Sequence, residues 1–427
     1  MIAPTYGEYE RLKTYGSGYS LKGCFDPLAS QYILSSPHIG LSPTLQNMGN
    51  LVFGEGNLFV MRGKEHKRLR NEFNTAFTAG TTHSYTPMLE RVGHGVADKL
   101  ELTSDTASIN IMPVINNAAL TAMTEAALGY LVDDFEDRYV SANAQIMAAA
   151  SDLSPGKILA DALGTYLPEW ILHAAVKLPT RTFNTDLAQQ GSDITGDIFG
   201  ALLNPDRSDT TRTPSTGEEI ITQTQLLMIA GHETTATTVA FAFWELARNE
   251  QCQDMLRAEI HWTVGEAGSG NIPYDRMPLL NAFIKEVLRL YPAEPFTERM
   301  ALQDTIMPLS ETITTATGDQ ISQVPLHKGD ILIADITSYQ RLESRWGEDA
   351  HEFRPFRWID GEVSKGEAVG PYANLLTFLG GPYICLEWRL AILEMQILIS
   401  ELVGNFAFAI PENDPITVRL ANTLPPP

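Results

Sequence analysis

Between residues 63 and 290, apolar residues recur at spacings of three and four, the period of a helix with one face buried. The pattern predicts helices over Gly63–Phe77, Thr81–Leu102, Ile111–Tyr130, Asp186–Leu203, Glu218–Asn249 and Leu279–Leu290. The stretch Asn204–Glu218 between two of them is polar and rich in breakers, as an exposed loop is. After Tyr291-Pro292 the period changes. Ala301–Ser338 carries short β-branched runs divided by polar turns, which predicts hairpins. Helical spacing returns over Leu386–Gly404, and two short strands are expected near the C-terminus. The expectation is a mainly α protein with a smaller β-rich portion placed late, forming one large domain over residues 1–427.

Charge and cysteine usage narrow the class. Thirty Lys and Arg stand against 52 Asp and Glu, a net charge of -22, which disfavours nucleic acid and anionic membrane as general partners. Three scattered cysteines, Cys24, Cys252 and Cys385, are too few for a disulfide framework and point to a reducing compartment. The N-terminus has no apolar core for a signal peptide, and no run of eighteen apolar residues occurs.

Four stretches carry chemistry. In Leu226–Asn249, His232-Glu233 opens like the zinc signature H-E-x-x-H, but Ala236 stands where the second histidine belongs, so the zinc reading fails. What remains is an apolar helix interrupted by Gly231, Glu233, Thr234 and Thr235. Threonine hydroxyls bonding back one turn bend such a helix, and an acid beside an alcohol there can hold water and relay protons. A threonine-rich interior turn satisfied locally is the plainer alternative. In Lys285–Pro292, Glu286 and Arg289 share a helix face and can pair, with Arg357 of the later EFRPFRW segment as a further partner. An ordinary solvated surface pair is the alternative. Arg62, Lys64, Lys67, Arg68 and Arg70 form a basic patch in an acidic protein, suited to carboxylates of a cofactor or to an acidic partner, or simply to solvent. His66 and Arg70 share one face of that helix.

The fourth stretch, FLGGPYICLEWRLA, places Cys385 between a glycine turn and a helix start. A nucleophilic thiolate would want a histidine near it in the fold. As a ligand, one cysteine excludes the four-coordinate zinc and iron–sulfur patterns and fits haem best. A small buried residue at a loop–helix junction is the remaining reading.

Taken together and in order, these pieces resemble the cytochromes P-450, the haem-thiolate monooxygenases, over nearly the whole chain, with the greatest similarity to fungal microsomal members. Ala230–Thr235 matches the oxygen-activation motif A/G-G-x-D/E-T-T, and Glu286 with Arg289 matches E-x-x-R. Phe353, Pro355, Arg357 and Trp358 match F-x-P-x-R-F/W, and Phe378, Gly381 and Cys385 match three fixed points of F-x-x-G-x-R-x-C-x-G. The resemblance implies the P-450 fold, with a long central helix over haem b. It implies Cys385 as axial thiolate and metal ligand on the turn formed by Phe378 and Gly381, with Glu233 and Thr234 delivering protons. It places His66, Arg70 and Arg299 as partners of the haem carboxylates, and Glu286, Arg289 and Arg357 as a structural trio. It further implies O2, a lipophilic small-molecule substrate from secondary metabolism, and NADPH acting through an acidic flavoprotein reductase that docks on the Arg62–Arg70 patch. A monomer is expected, at the cytosolic face of the endoplasmic reticulum. The stretches Leu41–Val60, Leu227–Ala230 and Ala293–Thr297 would face the substrate.

This chain departs from the family pattern at three places. Tyr383 replaces an arginine that would meet a haem carboxylate, so a charged bond becomes at most a neutral one. Glu387 replaces a small glycine beside the ligand loop. The chain begins where the family's anchor helix and first strands would already have passed. These departures support a second expectation, a degenerate member that binds haem poorly and is not catalytic.

Overall fold

The computed structural model describes residues 11–12, 21–24, 26–103, 109–128, 217–315, 317–361, 363 and 369–411. The helix expected over 186–203, residues 204–216 of the loop expected over 204–218 and most of the C-terminal strands lie outside them, and residues 217–218 of that loop are already helical. Residues 406–411, which are described, form no strand. Contacts divide the chain into two compact units. One comprises residues 1–48, 294–352 and 363–385; the other comprises 49–293, 353–362 and 386–427.

The first unit holds the sheets. Strands β1 (Arg11–Leu12), β2 (Leu21–Cys24), β3 (Ile39–Leu41), β4 (Phe296–Ala301) and β7 (Ile331–Asp335) form one sheet in the order β1-β2-β7-β4-β3. Only the β2–β7 pair is parallel. β5 (Thr305–Thr314) and β6 (Gln320–Leu326) form the separate hairpin that the β-branched runs predict, with a register shift between Pro308 and Ile313. β4 begins five residues earlier than the sequence pattern announces. Side chains alternate across a strand, and on β4 Thr297, Arg299 and Ala301 fall on the buried face. Helix α1 (Pro27–Ser35) starts on Asp26, whose carboxylate accepts from Ala29 N–H, and on Pro27, which needs no N–H partner there. Ala29 and Ile33 of α1 pack with Ile39, Leu332 and Leu326 as the core of this unit.

The second unit is helical. Its helices are α3 (Gly63–Asn74), α4 (Ala79–Ser84), α5 (Thr86–Thr103), α6 (Met112–Leu128), α7 (Gly217–Arg248), α8 (Glu250–Ala267), α9 (Pro278–Leu290) and, after two short helices of the first unit, α12 (Trp388–Asn405). Those two are α10 (Ile336–Tyr339) and α11 (Glu343–Trp346), and α2 (Pro43–Phe53) spans the first boundary between the units. The single helix expected over 81–102 is two: α4 ends at Ser84 with Tyr85 as its cap, and Pro87, lacking an N–H, fits only the first turn of a new helix. The sequence pattern missed α8 because Met255 and Trp262 stand exposed among the polar residues of its outer side, which blurs the period. Its ends are well marked. Asn249 caps it through Cys252 N–H at 3.0 Å, and Gly268 at φ +56 closes it. The 32-residue α7 packs on α6, α9 and α12 and is buried over most of its length. Among the described residues no helix is long and apolar enough to cross a membrane.

Candidate functional site

In the first unit, the chain before the cysteine is held by one buried amide. Gln340 Oε1 accepts from Leu376 N–H at 2.8 Å and from Thr377 N–H and Oγ1–H at 3.1 Å each. The turn that follows tolerates only glycine at two positions. A Cβ on Gly380 would lie 2.4 Å from Val369 O, and one on Gly381, at φ +67, would lie 2.5 Å from Leu34 O. Gly381–Tyr383 is a 3-10 turn with Pro382 in it, and Cys385 N–H donates to Phe378 O at 2.9 Å. Phe378 is buried and sits edge-on to Tyr372. The structure therefore brings Phe378, Gly381 and Cys385 together in one closed turn, with Cys385 half-buried. Arg299, also in this unit, is buried on β4. Its Nη1 donates to Thr297 Oγ1 at 2.5 Å and to Glu298 O at 2.9 Å.

In the second unit, α7 carries the acid–threonine pair. Thr234 Oγ1–H donates to Ala230 O at 2.8 Å, Thr235 to Gly231 O at 3.0 Å and Thr238 to Thr234 O at 2.9 Å. This is the back-bonding that the threonine run predicts, on a helix that continues without interruption. Glu233 is half-buried, and the loss of water around it pushes its carboxyl up to about 7. His232 is buried, with Nδ1 2.6 Å from Met228 O, and burial lowers its pKa. On α3, His66 is buried and Arg70 lies one turn on; burial and then the Arg70 charge lower the His66 pKa, which favours a neutral imidazole.

The basic patch is smaller than its composition announces. Lys64 and Lys67 are exposed, but Arg68 is bonded to Glu65 at 3.1 Å, Glu72 at 3.3 Å and Glu219 at 2.8 Å. Three carboxylates offset its charge, and it ties α3 to the first turn of α7.

The trio is buried and larger than its motifs show. Glu286, Arg289 and Arg357 are at most 2% exposed. Glu286 Oε1 accepts from Arg289 Nη2 at 2.8 Å, Arg357 Nε at 3.0 Å and Arg354 N–H at 2.9 Å. Its Oε2 accepts from Arg289 Nε at 2.9 Å and Trp358 Nε1 at 2.8 Å. The Arg354 amide and the Trp358 indole were not anticipated as partners, although Trp358 stands in the same aromatic segment. The 3-10 turn Pro355–Trp358 delivers both arms, and Phe353 packs edge-on to Phe283 of α9.

Glu387 has an environment that no local pattern shows. It is 7% exposed, and a Cβ on Gly231 would lie 2.6 Å from its Oε2 and 2.7 Å from Met123 Sδ. The glycine of α7 thus makes room for a carboxyl from the start of α12. Glu387 Oε1 and Glu394 Oε1 are buried with no hydrogen-bond partner among the described residues. Burial pushes Glu387 up to about 8; burial, then the Glu387 charge, pushes Glu394 well above the carboxylate range. Both folded-state values exceed the ordinary 4.5, so the native state keeps protons that the unfolded chain releases. The contribution of Glu387 to stability is complete below about pH 4.5 and is lost as pH rises through about 8, and that of Glu394 changes in the same direction. At about 1.4 kcal/mol per unit, the loss at Glu387 alone is of the order of a few kcal/mol. The melting temperature is expected to fall between pH 5 and pH 9, and Glu394→Gln should flatten part of that fall. Superimposable pH profiles for the variant and the parent would refute the assignment.

A thiolate-ligated haem asks for one accessible thiol and for cations or donors to its carboxylates. Half-buried Cys385 and buried Arg299 of the first unit have that chemistry, so the residues present there fit the group.

Comparison with known proteins bears on the same point. The family described as Cytochrome P-450 matches residues 42–426. The chain is 27% identical to cytochrome P-450 monooxygenase 91 of Postia placenta, over 90% of this chain and 78% of that one. It is 24% identical to ganoderic acid synthetase CYP5150L8 of Ganoderma lucidum, over 96% and 83%. It is 26% identical to cytochrome P-450 monooxygenase claO of Ampulloclitocybe clavipes, over 87% and 73%.

Proposed function

The chain belongs to the cytochrome P-450 family of monooxygenases, and on that premise we propose that it oxidises a lipophilic small molecule of secondary metabolism, using O2 and electrons from NADPH delivered by a flavoprotein reductase. The observation that carries this reading is the intact acid–threonine pair on α7. Glu233, with its carboxyl pushed up to about 7, is divided between its acid and base forms near neutral pH, as a proton carrier must be. A family member that rearranged its substrate without O2 would have no use for such a pair.

In this proposal Cys385 would hold the haem iron through its thiolate, and the group would supply the chemistry that activates O2. His66, Arg70 and Arg299 hold the haem carboxylates, His66 as a neutral donor and the arginines as charges. Tyr383 offers only a neutral hydroxyl at the position where the family has a third cation. Thr234 spends its own proton on Ala230 O, which leaves its oxygen lone pairs to accept from a water. Glu233 would hand its proton to that water as the water passes one of its own onward, and would be recharged from solvent. The exposed Lys64 and Lys67, with Arg62, form the face on which an acidic reductase docks; Arg68 contributes less because its charge is already offset. The oxidation would take place at the cytosolic face of the endoplasmic reticulum.

The buried Glu387 oxygen, which has no hydrogen-bond partner among the described residues, and Tyr383 in place of an arginine favour a second reading, a member that holds haem weakly. One experiment separates the two. Reduced under carbon monoxide, the purified protein is expected to show the strongly red-shifted Soret band of a ferrous thiolate. A protein that carries no haem and takes none up would end the monooxygenase reading.

A further inference from the structure

Residues 369–379 of the first unit keep their shape against local strain. Ala373, Asn374 and Leu379 have left-handed backbones at φ +53, +57 and +56, a region that residues other than glycine disfavour. Ala373 and Asn374 form the centre of a tight reversal in which Tyr372 bridges to Leu375, whose N–H donates to Tyr372 O at 3.0 Å. Mirror-image turns of this kind ordinarily carry Asn-Gly there. Gly370 closes against the reversal, since a Cβ on it would lie 1.7 Å from Leu375 O. Leu379 then turns the chain again, just ahead of Gly380 and Gly381. Such strain persists where the surrounding fold over-determines the backbone.

Two side chains of the same unit supply that determination. Gln340, wholly buried, stands at the end of α10, with its own N–H donating to Ile336 O at 3.0 Å. α10 is fixed in turn to the end of β7 by Asp335, whose carboxylate accepts from Ser338 N–H at 2.9 Å and Ser338 Oγ–H at 2.6 Å. Arg345 of α11 donates from Nη2 to Asn374 O at 3.1 Å, and its guanidinium lies over the Tyr339 ring at 4.8 Å. The three donors that Gln340 Oε1 accepts belong to Leu376 and Thr377. Leu376 is also seated in an apolar cluster with Leu34, Ile336 and Val369. Its carbonyl accepts from Leu379 N–H at 2.8 Å, which ties the second reversal to a residue that Gln340 holds. Phe378 lies between them, and its carbonyl is the acceptor for Cys385 N–H.

We propose that Gln340 is a positioning residue for Cys385: by fixing Leu376 and Thr377 it aims Phe378 O, and so sets the turn from which the thiolate would hold haem. The influence passes along the backbone, from the amide to residues 376 and 377, to the carbonyl of 378 and to the N–H of 385. Haem retention rests on the monooxygenase reading; the shape of the turn does not. Because one oxygen accepts all three bonds, a carboxylate can take the place of the amide, whereas a thioether, a weak acceptor, leaves the three donors short of a partner.

The test uses the full chain, with hydrogen–deuterium exchange read at single amides. Gln340→Met keeps the side-chain length and is expected to speed exchange at Leu376 and Thr377 by roughly tenfold and at Cys385 severalfold, leaving residues 250–267 of α8 unchanged. Gln340→Glu should hold all three amides close to the parent rates. Should Gln340→Met be insoluble, Gln340→Asn, too short to keep all three bonds, gives the same reading. In the haem-loaded protein, haem transfer to apomyoglobin should quicken severalfold in Gln340→Met but not in Gln340→Glu. A larger share of the reduced, carbon monoxide-bound Gln340→Met protein should also lack the red-shifted Soret band. Faster exchange at Leu376 and Thr377 with Cys385 unchanged would overturn the positioning role, as would an increase spread evenly through the chain or a glutamate variant no better than the methionine one. Haem transfer at the parent rate alongside faster exchange at Cys385 would overturn the part concerning haem. A parent protein that takes up no haem would count against the monooxygenase reading, and exchange at Cys385 would still decide the positioning role.

Discussion

Cys385→Ser is expected to abolish the red-shifted Soret band of the reduced, carbon monoxide-bound protein while leaving its helical content intact. The sulfur is what confers that band, because a thiolate donates charge to iron and a serine hydroxyl, not ionised near neutral pH, does not. The substitution disturbs little else. Cys385 is half-buried, and the bond that closes its turn, from its own N–H to Phe378 O, is made by the backbone. The two glycines that shape the turn are untouched. The other cysteine with a described side chain, Cys252, cannot substitute, since burial pushes its thiol up to about 11 and keeps it protonated. Difference spectra and circular dichroism on the same sample check both halves. A band that survives in the serine variant would mean that Cys385 is not the ligand.

The second large effect is expected at the buried trio. Glu286 accepts five hydrogen bonds, two of them from one arginine and one from another, all with almost no exposure to water. Glu286→Leu removes the only carboxylate in that set and leaves two guanidinium groups, an indole N–H and a backbone N–H to find other partners inside the protein. Removing one member of a buried pair costs about 3–5 kcal/mol, a large share of the 5–15 kcal/mol that stabilises a typical domain. Urea unfolding should therefore show a severe loss, or the variant should accumulate as insoluble protein. Arg357→Lys is the milder companion; it keeps the charge but cannot reproduce the guanidinium's directed bond. Asp254→Ala is the control. That residue pairs with Arg257 at 2.8 Å, but its side chain is 66% exposed, and the change should stay within about 1 kcal/mol. Equal losses in Glu286→Leu and Asp254→Ala would sink the account of the trio.

Much of the architecture was legible because it is written in short spans. The periods of α3, α6, α7, α9 and α12 lie within single runs, and the ends that fall inside the described residues lie within a few residues of the expected ones. The hairpin β5–β6 announced itself by β-branched residues and turns. Where the pattern failed, the cause was local as well: Pro87 divided an apparently continuous helix, and the exposed Trp262 and Met255 hid the period of α8. The pairing of Glu286 with Arg289 was legible from their spacing, and Arg357 from its motif. The indole of Trp358 and the amide of Arg354 were not, because nothing in a linear segment says which of its donors will turn toward a carboxylate some seventy residues away.

By itself the amino-acid sequence determined which chemical groups this protein has and the order in which they occur, and that order sufficed to indicate the family. Only the tertiary structure decided what each group experiences. It offset the charge of Arg68 with three carboxylates, set Glu387 into the space left by Gly231, raised Glu233 toward neutrality, and placed Gln340 where one oxygen holds Leu376 and Thr377. The reason is physical. Spacing along a chain sets a helical face or a strand side, whereas desolvation and hydrogen bonding depend on whatever the rest of the fold packs against that face.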